Sequence, residues 1–209
     1  MNSLEQSLAR IPLSNNSYTQ DNLRLSVKVT QRTGEDYNGV TYARLTNQQS
    51  RIIYGNDSKI DKAVTSISLP SSLLNYWYSA TARFIFVLYN NSLFFQHEHL
   101  RLKSSDDDPF SRQVNSEVIS ASVRNASFAN LTDPVKMIFT PLQGGELSSA
   151  SCVYWDFQAL GALGNWSADG CTVVMSEKSQ TLCECSHMTN FALLMVRRSG
   201  NRFRLFIDA

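Results

Sequence analysis

The run Cys183-Glu-Cys-Ser-His-Met-Thr-Asn-Phe-Ala-Leu-Leu-Met-Val196 decides how this chain is read. It places two thiols two residues apart, then a histidine, then a hydroxyl two positions on, and closes with an almost unbroken apolar stretch. A strand with one solvated face alternates with period two, so the continuous run after Thr189 reads as a strand buried on both faces. Burying Phe191, Leu193, Leu194, Met195 and Val196 contributes on the order of 8 to 15 kcal/mol before entropy is subtracted. A strand that well buried and paired on both sides stays in place even when the peptide bond ahead of it is broken.

The other two cysteines are Cys152 and Cys171, so all four lie toward the C-terminal end. Four cysteines allow three pairings. A bond between Cys183 and Cys185 is the poorest, because residues two apart in a strand lie near the upper limit of bridgeable Cα separation. Both must reach back, which leaves two arrangements open. A zinc site using these thiols and His187 competes with disulfides, but the chain has no C-x-x-C pair. Between the cysteines stand C-V-Y-W from Cys152 and W-S-A-D-G-C ending at Cys171, which carry Trp155, Trp166 and Gly170. Indoles beside disulfides serve as packing.

His-x-Thr alone carries little weight, since three histidines in this composition give roughly 0.6 accidental matches to a Ser or Thr two places on. In an extended chain, however, residues two apart project from the same face, which brings the imidazole of His187 toward the hydroxyl of Thr189. A hydroxyl is a weak nucleophile until a base takes its proton, and an imidazole suits that task near neutral pH.

Outward from this stretch the texture is β-rich. Ser and Thr supply 28 and 12 residues, and charged residues only 18%. Strands are expected at Leu23 to Thr30, Val40 to Leu45, Arg51 to Tyr54, Ala63 to Leu69, Ala82 to Tyr89, Leu93 to Gln96, Glu117 to Val123 and Val135 to Thr140, separated by turn-rich pieces. Many short strands at this spacing indicate a mostly β, antiparallel sandwich. Leu4, Leu8 and Ile11, ahead of Pro12, predict one short N-terminal helix. Ser104 to Pro109 reads as a solvated loop without the Gly and Glu of a calcium site. His97 and His99 read as a polar strand end, with no third ligand to make a metal site, so neither metal nor cofactor is expected.

Nineteen basic residues against eighteen acidic ones give a net charge of +1, which excludes the footprint of a nucleic-acid binder. Apolar runs such as Phe84 to Tyr89 stop at six residues, far short of the ~18 that suggest a membrane span. Residues Met1 to Arg10 lack the pattern of a secretory signal. Yet six N-x-Ser/Thr sites occur, at Asn15, Asn56, Asn90, Asn125, Asn130 and Asn165, where roughly three are expected by chance. With the cysteines, they point to an extracellular fragment whose signal lies upstream, and so to an oxidising compartment.

The composite of four cysteines, two tryptophans and His-x-Thr, in this order, resembles the G-protein-coupled-receptor proteolysis site that ends the autoproteolysis-inducing (GAIN) domain of adhesion receptors. The match is close from Cys152 to Val196. S-I-S-L-P from Ser66, R-F-I-F-V-L-Y-N-N from Arg83 and V-N-S-E-V-I-S-A-S-V from Val114 look like the same domain's sandwich. The resemblance implies subdomain B over 20–196, with 152–196 as the proteolysis motif. Residues 1–19 are then a helix and linker left from a helical subdomain, and 197–209 a linker or tail. It further implies the pairs Cys152–Cys183 and Cys171–Cys185.

By the same resemblance, Thr189 attacks the carbonyl of Met188 with His187 as base, in a single turnover, and not as an enzyme acting on substrates. Met188 stands where the family usually has Leu, a residue of similar apolar size. Attack on the preceding carbonyl requires a bent, strained Met188–Thr189 bond, for which a turn clamped by Cys183 and Cys185 is the expected source. The released segment, Thr189, Asn190, Phe191, Ala192, Leu193, Leu194 and Met195, corresponds to a tethered agonist anchored in the receptor's own seven-transmembrane domain through Phe191, Leu194 and Met195. A G protein then follows indirectly, with extracellular protein ligands as further partners, at the outer face of the plasma membrane. The competing reading is a disulfide-stabilised structural or adhesion sandwich that never cleaves, in a receptor or a polycystin-like membrane protein.

Overall fold

The computed structural model describes residues 3–22, 24–55, 62–76, 81–96, 110–124, 128, 130–143 and 147–198. His97, His99, the 104–109 loop, Leu23, Asn56, Asn125 and the tail beyond 198 lie outside them. Among the described residues fourteen strands form two antiparallel sheets, in keeping with the mostly β sandwich, short N-terminal helix and disulfide-stapled C-terminal motif expected from sequence. The strands are β1 (Ser17–Asp21), β2 (Leu25–Thr33), β3 (Val40–Leu45), β4 (Ser50–Tyr54), β5 (Ala63–Leu69), β6 (Thr81–Tyr89) and β7 (Phe110–Val114), followed by β8 (Val118–Val123), β9 (Val135–Phe139), β10 (Leu147–Asp156), β11 (Asn165–Ser167), β12 (Cys171–Ser176), β13 (Thr181–Cys185) and β14 (Asn190–Arg198).

One sheet runs β1-β2-β6-β8-β14-β10-β11, with β7 also on β14; the other runs β12-β13-β9-β5-β3-β4. Alternation along each strand sends one set of side chains between the sheets: Tyr42, Ile67, Phe84, Phe86, Leu88, Ile119, Met137, Phe139, Phe191 and Leu193 are all essentially fully buried there. The first sheet is apolar on its outer face as well, where Val27, Val29, Ile85, Val87, Val118, Val153 and Ala192 are buried.

That outer face is covered by α1 (Ser3–Leu8) and by aromatic side chains. Leu8 and Ala9 are buried against it, Glu5 accepts a hydrogen bond from the Ser120 hydroxyl, and Arg83 Nη1 donates to the carbonyls of Ala9 and Ile11 at 2.8 and 2.9 Å. The helix is shorter than the Leu4 to Ile11 expected, because ahead of Pro12 the chain tightens: Arg10 N–H bonds Ser7 O and Ile11 N–H bonds Leu8 O, three residues back.

The expected strand Leu93 to Gln96 is instead a 3-10 turn over Leu93–Phe95. Tertiary packing explains the change. The turn swings Phe95 onto Trp155 and Trp166, with centroids at 5.8 and 5.7 Å, and the two indoles meet edge to face at 5.2 Å. Gly164 completes this knot: its φ is +86°, and a Cβ there would lie 2.4 Å from the Trp155 ring.

Two disulfides staple one end of the sandwich, one between the sheets and one within the second sheet. Cys152 on β10 bonds Cys183 on β13, linking sheet to sheet, and Cys171 on β12 bonds Cys185, its register partner on β13. All four sulfurs are thereby consumed, leaving no thiolate for zinc.

Candidate functional site

β13 ends at Cys185 and β14 begins at Asn190, so residues 186–189 form the link between the two sheets. Ser186, His187 and Thr189 are bends, not strand. The extended geometry expected for His-x-Thr is therefore absent, since a chain leaving one sheet for the other has to turn. The turn uses no residue at positive φ.

Distant backbone holds the turn on both sides. Ser186 N–H donates to Gly170 O at 2.9 Å, and Leu131 N–H donates to Ser186 O at 2.8 Å. Met188 N–H donates to Phe128 O at 3.3 Å, while Thr189 O accepts from Ala121 N–H at 3.4 Å. The Met188–Thr189 peptide is thus gripped on each side, by the Phe128 carbonyl and by β8.

His187 is oriented by packing. Its ring meets the edge of Tyr154 at 4.4 Å and lies tilted 5.6 Å from Phe191. Gly170, at φ +70°, passes so close that a Cβ would sit 2.9 Å from Ser186 Oγ and 3.4 Å from His187 Nδ1. Nε2 of His187 is buried without a hydrogen-bond partner, and among the described residues none joins the ring to Thr189. Burial holds this imidazole below its ordinary pKa of 6.5, because the charged form is poorly solvated. A neutral ring with a free nitrogen, two residues from a hydroxyl, has the chemistry of a proton acceptor.

After Thr189 the chain enters the middle of the first sheet. β14 pairs with β10 along one flank, from Phe191 opposite Tyr154 to Arg197 opposite Leu147, and with β8 and β7 along the other. Asn190, Phe191, Ala192, Leu193 and Met195 are buried, with Leu194 half-buried. Phe191, Leu193 and Met195 face the core between the sheets, whereas Ala192 and Leu194 face the outer layer. The three agonist anchors expected from sequence thus divide between two faces of the strand.

Of the six N-x-Ser/Thr sites, Asn15 and Asn130 are exposed, with left-handed φ of 50° and 55°. Asn90 Oδ1 accepts a hydrogen bond from Arg44 at 3.0 Å, and Asn165 Oδ1 accepts from the Trp166 backbone N–H at 2.9 Å. Sequence reasoning did not single out Tyr154, Phe128, Leu131 or Ala121. Tyr154 lay within the quoted C-V-Y-W. The others act through backbone groups, which leave no signature in side-chain identity.

The family model described as GPS, GAIN subdomain B, matches residues 11–199. Adhesion G protein-coupled receptor L1 of Rattus norvegicus is 34% identical over 153 residues, covering 69% of this chain and 10% of the receptor. Adhesion G-protein coupled receptor G6 of Danio rerio is 28% identical over 203 residues, 93% of this chain and 16% of that one. The full extracellular region of zebrafish Gpr126/Adgrg6 superposes with a TM-score of 0.72 at 26% identity, covering 88% of this chain and 24% of that structure.

Proposed function

We propose, from the premise that this chain belongs to the GAIN subdomain B family, that it is the self-cleaving extracellular module of an adhesion receptor. In this reading it cuts between Met188 and Thr189 and masks strand β14 as a tethered agonist. One observation carries the reading: the bond ahead of a doubly paired, buried strand lies in a gripped turn, next to an imidazole that is neutral and unpartnered.

Chemistry follows from those groups. His187 takes the hydroxyl proton of Thr189 as Oγ1 attacks the Met188 carbonyl carbon. The tetrahedral intermediate collapses with transfer of that proton to the Thr189 nitrogen, leaving an ester between Met188 and the Thr189 oxygen. Water hydrolyses the ester to a Met188 carboxylate and a free hydroxyl on an N-terminal Thr189. Because Thr189 becomes the new amino terminus, the reaction happens once per molecule.

Both fragments then stay together, since β14 keeps its ladders and its apolar contacts. Exposure of the strand would let it engage the seven-transmembrane domain of its own receptor and, through it, a G protein, at the outer face of the plasma membrane. The six N-x-Ser/Thr asparagines are the proposed glycan acceptors. Intact mass under denaturing conditions tests the reading. Two chains meeting at Met188/Thr189 support it, and a single chain favours the non-cleaving sandwich.

A further inference from the structure

The first sheet is interrupted beside β14. β7 ends at Val114 and β8 starts at Val118, so Asn115, Ser116 and Glu117 form no ladder, yet all three are buried. Opposite this gap sits Leu193. Its N–H donates to the side-chain oxygen of Ser116 at 2.9 Å, and its carbonyl accepts from the Asn115 N–H at 2.8 Å. The Ser116 hydroxyl in turn donates a hydrogen bond to the Glu117 carbonyl oxygen at 2.7 Å.

Asn115 is locked as well. Its carboxamide exchanges hydrogen bonds with the backbone of Gln143, accepting at 2.9 Å and donating at 3.1 Å, and Nδ2 also reaches Met195 Sδ at 3.1 Å. Glu117 spans the sandwich to Arg44 on β3, 3.6 Å away, with both side chains buried. The segment is therefore fixed to the other sheet and to Gln143, and presents a hydroxyl, an amide N–H and a carboxamide to the strand.

We propose that Asn115 and Ser116 form a side-chain latch that sets how firmly β14 is retained and that selects a thioether at position 195. The proposal rests on the reading of β14 as a strand held after cleavage. Elsewhere on this flank β14 is held by backbone pairing, which any sequence provides; at Leu193 and Met195 it is held by two specific side chains. Loss of the Ser116 oxygen leaves a buried N–H unpaired, a larger penalty than the bond itself contributes.

Amide hydrogen exchange at Leu193, with Met137 of β9 as reference, reads the latch in cut and uncut protein alike. Ser116→Ala is expected to speed exchange at Leu193 about tenfold over the change at Met137, and Ser116→Thr to restore it. Equal acceleration at both amides, or none at Leu193, would overturn the proposal. In protein shown by mass to be cut, urea-induced loss of the C-terminal fragment should quicken with Asn115→Ala and with Met195→Leu. The two effects should not add, because they break the same contact; strict additivity would refute the selection of Met195. If the wild type is uncut, the cleavage reading fails, and exchange at Leu193 still decides the latch.

Discussion

Cys152 is bonded to Cys183, and both stand upstream of Thr189, as do Cys171 and Cys185. With no cysteine beyond Cys185, only the Met188–Thr189 peptide joins the residues before that bond to those after it. The cleaved protein should separate into two chains in denaturant without any reductant. Replacing either cysteine pair by Ala should cost about 2 to 5 kcal/mol and reduce cleavage, because β13 leads directly into the gripped turn. Non-reducing denaturing gels and urea melts check both outcomes.

Thr189→Ala should abolish cleavage and leave the melting transition within a few degrees of wild type, since the side chain is half-buried and among the described residues makes no hydrogen bond. Thr189→Ser should retain partial activity. His187→Ala should also block cleavage, with some loss of stability from the contacts to Tyr154 and Phe191. A Thr189→Ala protein that still gave two chains on a denaturing gel would rule out this nucleophile.

Much of this fold was legible because its strands are apolar where the sheets bury them. The run after Thr189 reads as a strand buried on both faces, and Phe191 to Met195 has the second sheet on one side and a covering layer on the other. β1 escaped notice because Ser-Tyr-Thr-Gln-Asp is an exposed edge with no apolar alternation to detect. Leu93 to Phe95 looked like a strand because nothing local reveals that Phe95 must fold onto two indoles far along the chain. In the site, the residue types of the reaction were visible and their surroundings were not. The turn at 186–189 depends on backbone groups of Gly170, Phe128, Leu131 and Ala121, and the latch on the gap between β8 and β7, a strand the sequence did not announce.

The depressed pKa of His187 fixes the sign of the pH response. The unfolded chain, with an ordinary imidazole near 6.5, takes up a proton that the folded ring resists. This group's contribution to stability is therefore full above about pH 6.5 and declines as pH falls through the folded value. Cleavage should follow the neutral ring and slow in acid, with a midpoint below about pH 6.5. Protein synthesised under oxidising conditions and moved to buffers of different pH, with the cut fraction followed over time, gives the profile. An acid limb starting well above pH 6.5 would contradict the buried, neutral base.

Retention of β14 provides the remaining test of the masked agonist. Because hydrolysis leaves both ladders and the apolar contacts intact, the cut protein should run as one particle in native size-exclusion chromatography. Phe191 is fully buried in the core between the sheets and touches His187. Phe191→Ala should therefore cost about 3 to 5 kcal/mol and let the fragment escape at lower denaturant. The same ring is the largest apolar anchor of the released segment. A synthetic peptide starting at Thr189 should activate a truncated receptor carrying the matching transmembrane domain, and should lose that activity when Phe191 becomes Ala. In the sandwich Leu194 points away from Phe191 and Met195, so a receptor that gripped all three from one side would require the strand to leave its extended form. Circular dichroism of the peptide in an apolar solvent mixture, set beside Ala scans at these three positions, distinguishes the cases. A peptide indifferent to Phe191, or a fragment lost spontaneously in native buffer, would remove the basis for reading β14 as a masked agonist.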